Sequence, residues 1–304
     1  MSARSHLYVP GDAPDKLAKA LGRGADALIV DLEDAVPPAG KEAARHAVAA
    51  WLDGVARDGA GLDGVARDGA GRKLDGAGPG LDGAGPGAVE IWVRVNSGAG
   101  READIRAVAA KPALTGLVLA KVESAGELAD VDDLLTGLGA GTLPVVPLLE
   151  SAAAVLDARR IAAAPRVARL QVGEADLRAD AGITPGADER ELLWVRSQMV
   201  LASAAAGIDP PVGPVSTDFR DLEALRASTR ALARLGYVGR ACIHPAQVAV
   251  VNEVFTPSPA EVERARELVD RFAAAGSGVL LDASGRMVDE AVVRQARRLL
   301  RRAR

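Results

Sequence analysis

Residues 25–34 read ADALIVDLED, a short apolar run that ends in a burst of carboxylates. A continuous run of this length, bounded by polar residues, fits a strand buried on both faces, as in a parallel sheet. Similar runs recur along the chain: HLYVP (6–10), VEIWVRVN (89–96), TGLVLAKVE (115–123), PVVPLLES (144–151), VARLQVGEADL (167–177), GIDPPVGPV (207–215) and ACIHPAQ (241–247). Between most of them lie Ala-, Leu- and Arg-rich stretches with helical periodicity, at 14–22, 41–51, 101–110, 124–136, 152–163, 188–206 and 219–235. Eight strands alternating with helices over about 250 residues predict an α/β fold, a closed (β/α)8 TIM barrel. A doubly wound open sheet is the alternative. Two further helices, at about 258–274 and 287–303, exceed what a barrel needs. We therefore assign 1–250 to the barrel and 251–304 to a C-terminal helical extension suited to packing on a neighbouring subunit.

One segment stands apart. LDGVARDGAG at 52–61 recurs at 62–71, and LDGAGPG at 74–80 recurs at 81–87. Gly-rich duplications without an apolar face cannot build a packed repeat, so 53–88 reads as a low-complexity surface loop inserted in the barrel. Within it GPGLDG (78–83) has the G-x-G-x-x-G spacing. It neither leaves a strand nor opens a helix, which a dinucleotide loop must do.

Composition narrows the function. The 304 residues are 49% hydrophobic and carry a net charge of −4, the balance of a globular protein rather than a nucleic-acid binder. One cysteine (Cys242) excludes an internal disulfide and a thiolate metal cluster, and three histidines (His6, His46, His244) are too scattered for an imidazole zinc site. The start lacks a signal-peptide pattern, and no run approaches the roughly 20 apolar residues that span a bilayer. The expectation is a cytoplasmic protein without membrane partners. G-x-S-x-G, P-loop and H-E-x-x-H motifs are absent from the sequence.

Barrel active sites lie at the C-terminal ends of the strands. There the proposed strands place Asp31, Glu33 and Asp34, then Arg94 and Asn96, Lys121 and Glu123, Glu150, Glu174 and Asp176, and Ile243-His244. Oxygen donors without imidazole or thiolate suit Mg²⁺, which takes one or two carboxylates and keeps several waters. Glu150 and Asp176 are the natural pair, unless each is a salt-bridge partner. Arg94 could grip a carboxylate or a developing oxyanion, or form an ion pair with Glu90 or the Asp31 cluster. Asp31, Glu33 and Asp34 could order metal-bound waters or cap the segment that follows. Lys121 is either a Schiff-base lysine or a permanently charged one. His244, before Pro245, is a structural hydrogen-bonding group or a base, and Cys242 reads as core.

The stretches RSHLYVPGDAPDKLAKA (4–20), GADALIVDLEDAVPPAGKEAAR (24–45), WVRVN, LAKVESAGEL, LLESAAAV, GEADL, GRACIHPAQV and GRMVD, in that order, resemble the citrate lyase β-subunit-like proteins of the HpcH/HpaI aldolase family, with malyl-CoA and citramalyl-CoA lyases among them. The resemblance spans essentially the whole chain outside 53–88. It implies a Mg²⁺-assisted barrel in homo-trimers or hexamers that cleaves a 3-hydroxyacyl thioester of CoA, or of an acyl carrier, to acetyl-CoA and a 2-oxoacid. Thioesterase or synthase chemistry on the same site, a CoA-independent pyruvate aldolase and a noncatalytic subunit are the rival readings. By motif, Glu150 and Asp176 match the metal ligands and Arg94 the group that stabilises the enolate. Tyr8, Lys19, Ala175, Asp176, Ile243 and His244 match positions contacting the substrate or CoA, and Asp289 a carboxylate donated into the neighbour's site. The chain departs from the family at Glu174, one place earlier than in G-x-E-D-L, at Arg240 in place of a lysine, and at Ala13 in place of a basic residue.

Overall fold

The computed structural model describes residues 3–59, 89–275, 278–282 and 285–303. Its first strands and helices alternate in chain order: β1 (Ser5–Pro10), α1 (Pro14–Ala20), β2 (Ala27–Asp31), α2 (Lys41–Gly59), β3 (Glu90–Val95), α3 (Ala99–Val108), β4 (Gly116–Leu119) and α4 (Ala125–Gly137). Then follow β5 (Val145–Leu149), α5 (Ala152–Leu156), α6 (Ala158–Ala162), β6 (Gln171–Val172), α7 (Glu174–Ala181), α8 (Leu193–Ala206), β7 (Val212–Gly213), α9 (Leu222–Leu235), β8 (Gly239–Cys242) and α10 (Pro245–Phe255). The eight strands are parallel and close on themselves, β8 pairing back on β1 through Ser5↔Arg240, His6↔Ala241 and Leu7↔Cys242. Closure removes the open-sheet alternative.

The strand sequences explain the two layers of core. Alternate residues point inward, where Ala27, Ile29, Trp92, Val118, Val146, Leu148 and Ala168 fill the barrel. Their neighbours, such as Leu28, Val30, Ile91, Val93, Leu117, Leu119 and Leu149, face the helices. Gly116 is required by this packing, since a Cβ there would collide with the Trp92 ring. Cys242 is buried, as expected, and burial pushes its thiol up to about 12, so it is inert at neutral pH.

Three boundaries differ from the sequence reading. Helix α2 continues to Gly59, through the opening of the first duplicated copy, because Leu52 is buried and Trp51 and Val55 pack on the core. The loop expected at 53–88 therefore cannot start before residue 60, and 60–88 lie outside the described residues. The barrel runs past residue 250 to Phe255: α10 buries Val248, Val250, Val251 and Phe255 in the common core. GEADL follows the strand rather than ending it: β6 stops at Val172, Gly173 is the N-cap of α7, and Asp176 sits in the first turn of that helix.

The tail comprises α11 (Pro259–Ala275), a hairpin of β9 (Val279–Leu281) and β10 (Met287–Asp289), and α12 (Glu290–Arg302). It is joined to the barrel by Arg302, whose Nη2 donates to the Phe255 carbonyl at 2.8 Å. Among the described residues no helix is long and apolar enough to cross a membrane.

Candidate active site

The C-terminal rim of the barrel gathers the charges that the strand ends predicted. Asp31 closes β2 and is 2% exposed. Its Oδ1 accepts from the Glu33 amide at 2.8 Å and its Oδ2 from the Ala35 amide at 3.1 Å, so it caps the turn after the strand. The same two oxygens receive Arg94 Nε at 2.7 Å and Nη2 at 2.5 Å, a bidentate fork. For each residue it is the structural alternative that is seen: Asp31 caps its loop, and Arg94 pairs with the Asp31 cluster. Glu90 is not its partner, for Glu90 accepts from the Trp92 indole at 2.9 Å.

Arg94 is further enclosed by Glu33 Oε2 at 3.0 Å and lies 5.0 Å from the centre of the Tyr8 ring. Burial opposes its charge, but the Asp31 hydrogen bonds and the surrounding anions raise its pKa well beyond its ordinary value. Tyr8 projects into the barrel and accepts from Gln171 Nε2 at 3.0 Å, and burial raises its phenol above the usual range. Lys41 closes the loop from behind, its ammonium donating to the Leu32 carbonyl at 2.9 Å and the Glu33 carbonyl at 2.5 Å.

Lys121, just past β4, settles its two readings in favour of a charged group. Its ammonium contacts Glu33 and lies 3.3 Å from Asp34. Although burial works the other way, the Glu33 bond and the charges of Glu33, Asp34 and Glu150 hold it above the ordinary lysine value, the opposite of what a Schiff-base nucleophile needs. Its backbone has φ +51°, a left-handed conformation that non-glycine residues rarely adopt. That turn aims the Lys121 amide at Glu150 Oε1, 3.0 Å away.

Glu150, one residue past β5, is 6% exposed and has the Asp176 carboxyl within hydrogen-bonding reach. Gly173 makes the room, because a Cβ there would stand 2.8 Å from Glu150 Cγ and 2.9 Å from Oε2. Burial, then the neighbouring Asp176, pushes Glu150 up to about 8. Two carboxyls so placed repel as anions and are reconciled by a proton or a cation between them. Among the described residues no group of three or more His, Cys, Asp or Glu side chains converges on a metal position. A pair of hard oxygen donors, with the remaining positions left to water and substrate, nevertheless fits Mg²⁺.

Other expected residues stand elsewhere. Glu174 pairs with Arg196 and takes no part in the rim pair. Ala175 is exposed on α7 beside Asp176, and Lys19 is exposed in the last turn of α1. His244 is the N-cap of α10: its Nδ1 accepts from the Ala246 amide at 3.2 Å, while Gln247 Oε1 accepts from the Ile243 amide at 2.8 Å. The His244 ring stacks on Phe219 at 4.7 Å, beside an Ile243 that is 40% exposed. Asp289 caps α12, with Oδ1 accepting from Ala291 and Val292, and nothing within one protomer joins it to Arg94 among the described residues. Arg240 is buried among neutral acceptors, the Pro214 carbonyl, Ser228 and Thr229, and burial lowers it to about 10. Gln171, Gly173, Arg196 and Phe219 were not singled out from sequence. Only Gly173, inside GEADL, carried a signal.

The chain matches the family model described as HpcH/HpaI aldolase/citrate lyase over residues 4–67 and 61–245. It is 36% identical over 302 residues to a citrate lyase subunit beta-like protein of Deinococcus radiodurans, covering 98% of this chain and 96% of that one. It is 32% identical over 326 residues to an L-malyl-CoA/beta-methylmalyl-CoA lyase of Cereibacter sphaeroides, covering 99% and 94%. Among solved structures, the protein CitE of Mycobacterium tuberculosis, in complex with magnesium, acetoacetate and coenzyme A, superposes with a TM-score of 0.73 at 29% identity, over 99% of this chain and 98% of that one.

Proposed function

Because the chain belongs to the HpcH/HpaI aldolase/citrate lyase family, we propose that it is a Mg²⁺-dependent carbon–carbon lyase that cleaves a 3-hydroxyacyl thioester of CoA, of the malyl, citramalyl or citryl type, to acetyl-CoA and a 2-oxoacid. The observation that carries this reading is the buried Glu150 carboxyl facing the exposed Asp176 carboxyl on the same rim as the Arg94 guanidinium.

Glu150 and Asp176 would hold the ion, which supplies Lewis-acid polarisation of the substrate oxygens when bound. The chain's own residues do the rest. Asp31, Glu33 and Asp34 keep Arg94 and Lys121 cationic and fixed, and order water at the rim. As the substrate's hydroxyl proton passes to water and the carbon–carbon bond breaks, charge collects on the thioester oxygen of the departing enolate. A preoriented guanidinium at that point lowers the barrier without reorganising. Tyr8, beneath Arg94, supports it from below, and Lys19, Ala175, Ile243 and His244 flank the path of the CoA chain.

Asp289 supplies the proton that the enolate carbon takes up, in the site of a neighbouring copy within a trimer or hexamer. Strand register supports this role. Asp289 pairs with Val279 and shares its hairpin face with Leu281 and Met287, three apolar side chains that are 52%, 61% and 64% exposed. A carboxylate displayed on such a face is suited to docking on another surface.

The test is a chromatographic time course with malyl-CoA and citramalyl-CoA, with and without Mg²⁺. Metal-dependent acetyl-CoA, with an equal amount of glyoxylate or pyruvate, is expected. Free CoA with intact hydroxyacid would replace cleavage by thioester hydrolysis, and full turnover by Glu150→Ala or Asp176→Ala would remove the metal assignment.

A further inference from the structure

The glutamate that stands one place early in GEADL has a partner of its own. Glu174 Oε1 accepts from Arg196 Nε at 2.7 Å and Oε2 from Nη2 at 2.8 Å, a bidentate pair whose side chains are 11% and 7% exposed. The third nitrogen, Nη1, reaches Glu189 at 2.8 Å, and the Arg196 carbonyl accepts from the buried Tyr237 hydroxyl at 3.1 Å. Arg196 lies on α8, whereas Glu174 is the first residue of α7 and Asp176 follows two places on.

Helix α7 is short, eight residues with one fully buried side chain, Leu177. Packing alone holds such an element weakly, and its position depends on its polar ties. At its start, the Gly173 amide donates to the Leu149 carbonyl at 3.0 Å. At its far end, Asp180 accepts from the Ala152 amide at 2.8 Å. Both ties run to the strand and turn that carry Glu150. Arg196 adds the remaining direction, toward α8, and neutralises a carboxylate that would otherwise stand free two residues from Asp176.

We propose that Arg196 is a positioning residue that sets the divalent-cation affinity of the rim by clamping Glu174 and so holding Asp176 against Glu150. The proposal rests on the metal reading given above. A buried ion pair contributes little net stability over an apolar replacement, so its value here is geometric. Groups that orient a metal ligand from behind commonly change affinity 10- to 100-fold when removed.

Manganese, titrated alone into the full-length protein and followed by electron paramagnetic resonance, reads this without turnover. Arg196→Met and Glu174→Gln should each raise the Mn²⁺ dissociation constant by about 10- to 100-fold, with the double variant no worse than the weaker single. Arg196→Lys should fall between Met and wild type, because an ammonium keeps the charge but loses the fork. Leu135→Ala, a buried change in α4, should lower Tm and leave Mn²⁺ affinity alone. Hydrogen exchange of the α7 amides should quicken in Arg196→Met. Unchanged or tighter Mn²⁺ binding in a folded Glu174→Gln or Arg196→Met protein, or additive losses in the double variant, overturns the clamp. Failure of the wild-type chain itself to bind Mn²⁺ overturns the metal reading first, and Glu150→Gln separates that result from a failed clamp.

Discussion

In the proposed reaction, Arg94 is a side chain made ready for a charge that does not yet exist. Its fork on Asp31 uses both carboxylate oxygens, which also cap the Glu33 and Ala35 amides. Asp31→Ala would leave a buried guanidinium without its main anion and two amides without acceptors. We expect a loss of about 3–5 kcal/mol in denaturant unfolding, and a fall in kcat/KM of about 100-fold as Arg94 loses its aim. A variant with wild-type stability would show that the fork is incidental. These rim charges were legible in the sequence because a parallel barrel puts every strand's last residues on one face. Arg196 was not legible: it lies in the first turn of α8, twenty-two residues from Glu174, and nothing in local spacing says that the two meet.

Helices were read less well than strands, for identifiable reasons. The sequence reading runs strand eight on to residue 247 and assigns no element to 248–257, yet Pro245 at the first helical turn and the His244–Gln247 capping box start α10 there. Gly54 and Gly59 argued for a loop after residue 52, but Leu52 and its neighbours had core to fill, and burial outweighed propensity. In the tail, the sequence reading joins β10 and α12 as one helix from 287, although 287–289 pair as a strand. The hairpin is also where the reading of Asp289 can be tested. Asp289→Asn and Arg94→Ala oligomers should each be inactive. Mixed after unfolding and refolding together, they should regain activity at about a quarter of the sites if each site draws on one neighbour. Silence in the mixture would place Asp289 outside the reaction.

At the scale of the molecule, the barrel has an end that carries the candidate site and a structural end opposite it. His6 sits toward the structural end, fully buried, its Nε2 3.2 Å from the Ala3 carbonyl. Burial, then the charge of Arg169, lowers it to about 3. The sign follows directly. Below the unfolded value of about 6.5 the unfolded chain binds a proton that the folded chain refuses, so stability drops as pH falls from there toward 3. The slope approaches ~1.4 kcal/mol per pH unit. Between pH 7.5 and 5 the unfolding free energy should decline in the wild-type chain and stay flatter in His6→Gln, as measured by urea unfolding. Parallel curves would show that His6 is not the group responsible.

The two ends also differ in what they tolerate. Asp53 near the close of α2 is bridged at 2.6 Å by Lys111, from the turn that leads into β4, so this helix finishes at the edge of the barrel remote from Glu150 and Arg94. The polypeptide leaves the described fold at Gly59 and rejoins it at Val89 on that same edge. The two ends that flank the tandem duplication thus both lie away from Arg94 and Glu150. A reporter or an affinity handle joined between Gly59 and Val89 would therefore be anchored at the edge opposite the candidate site.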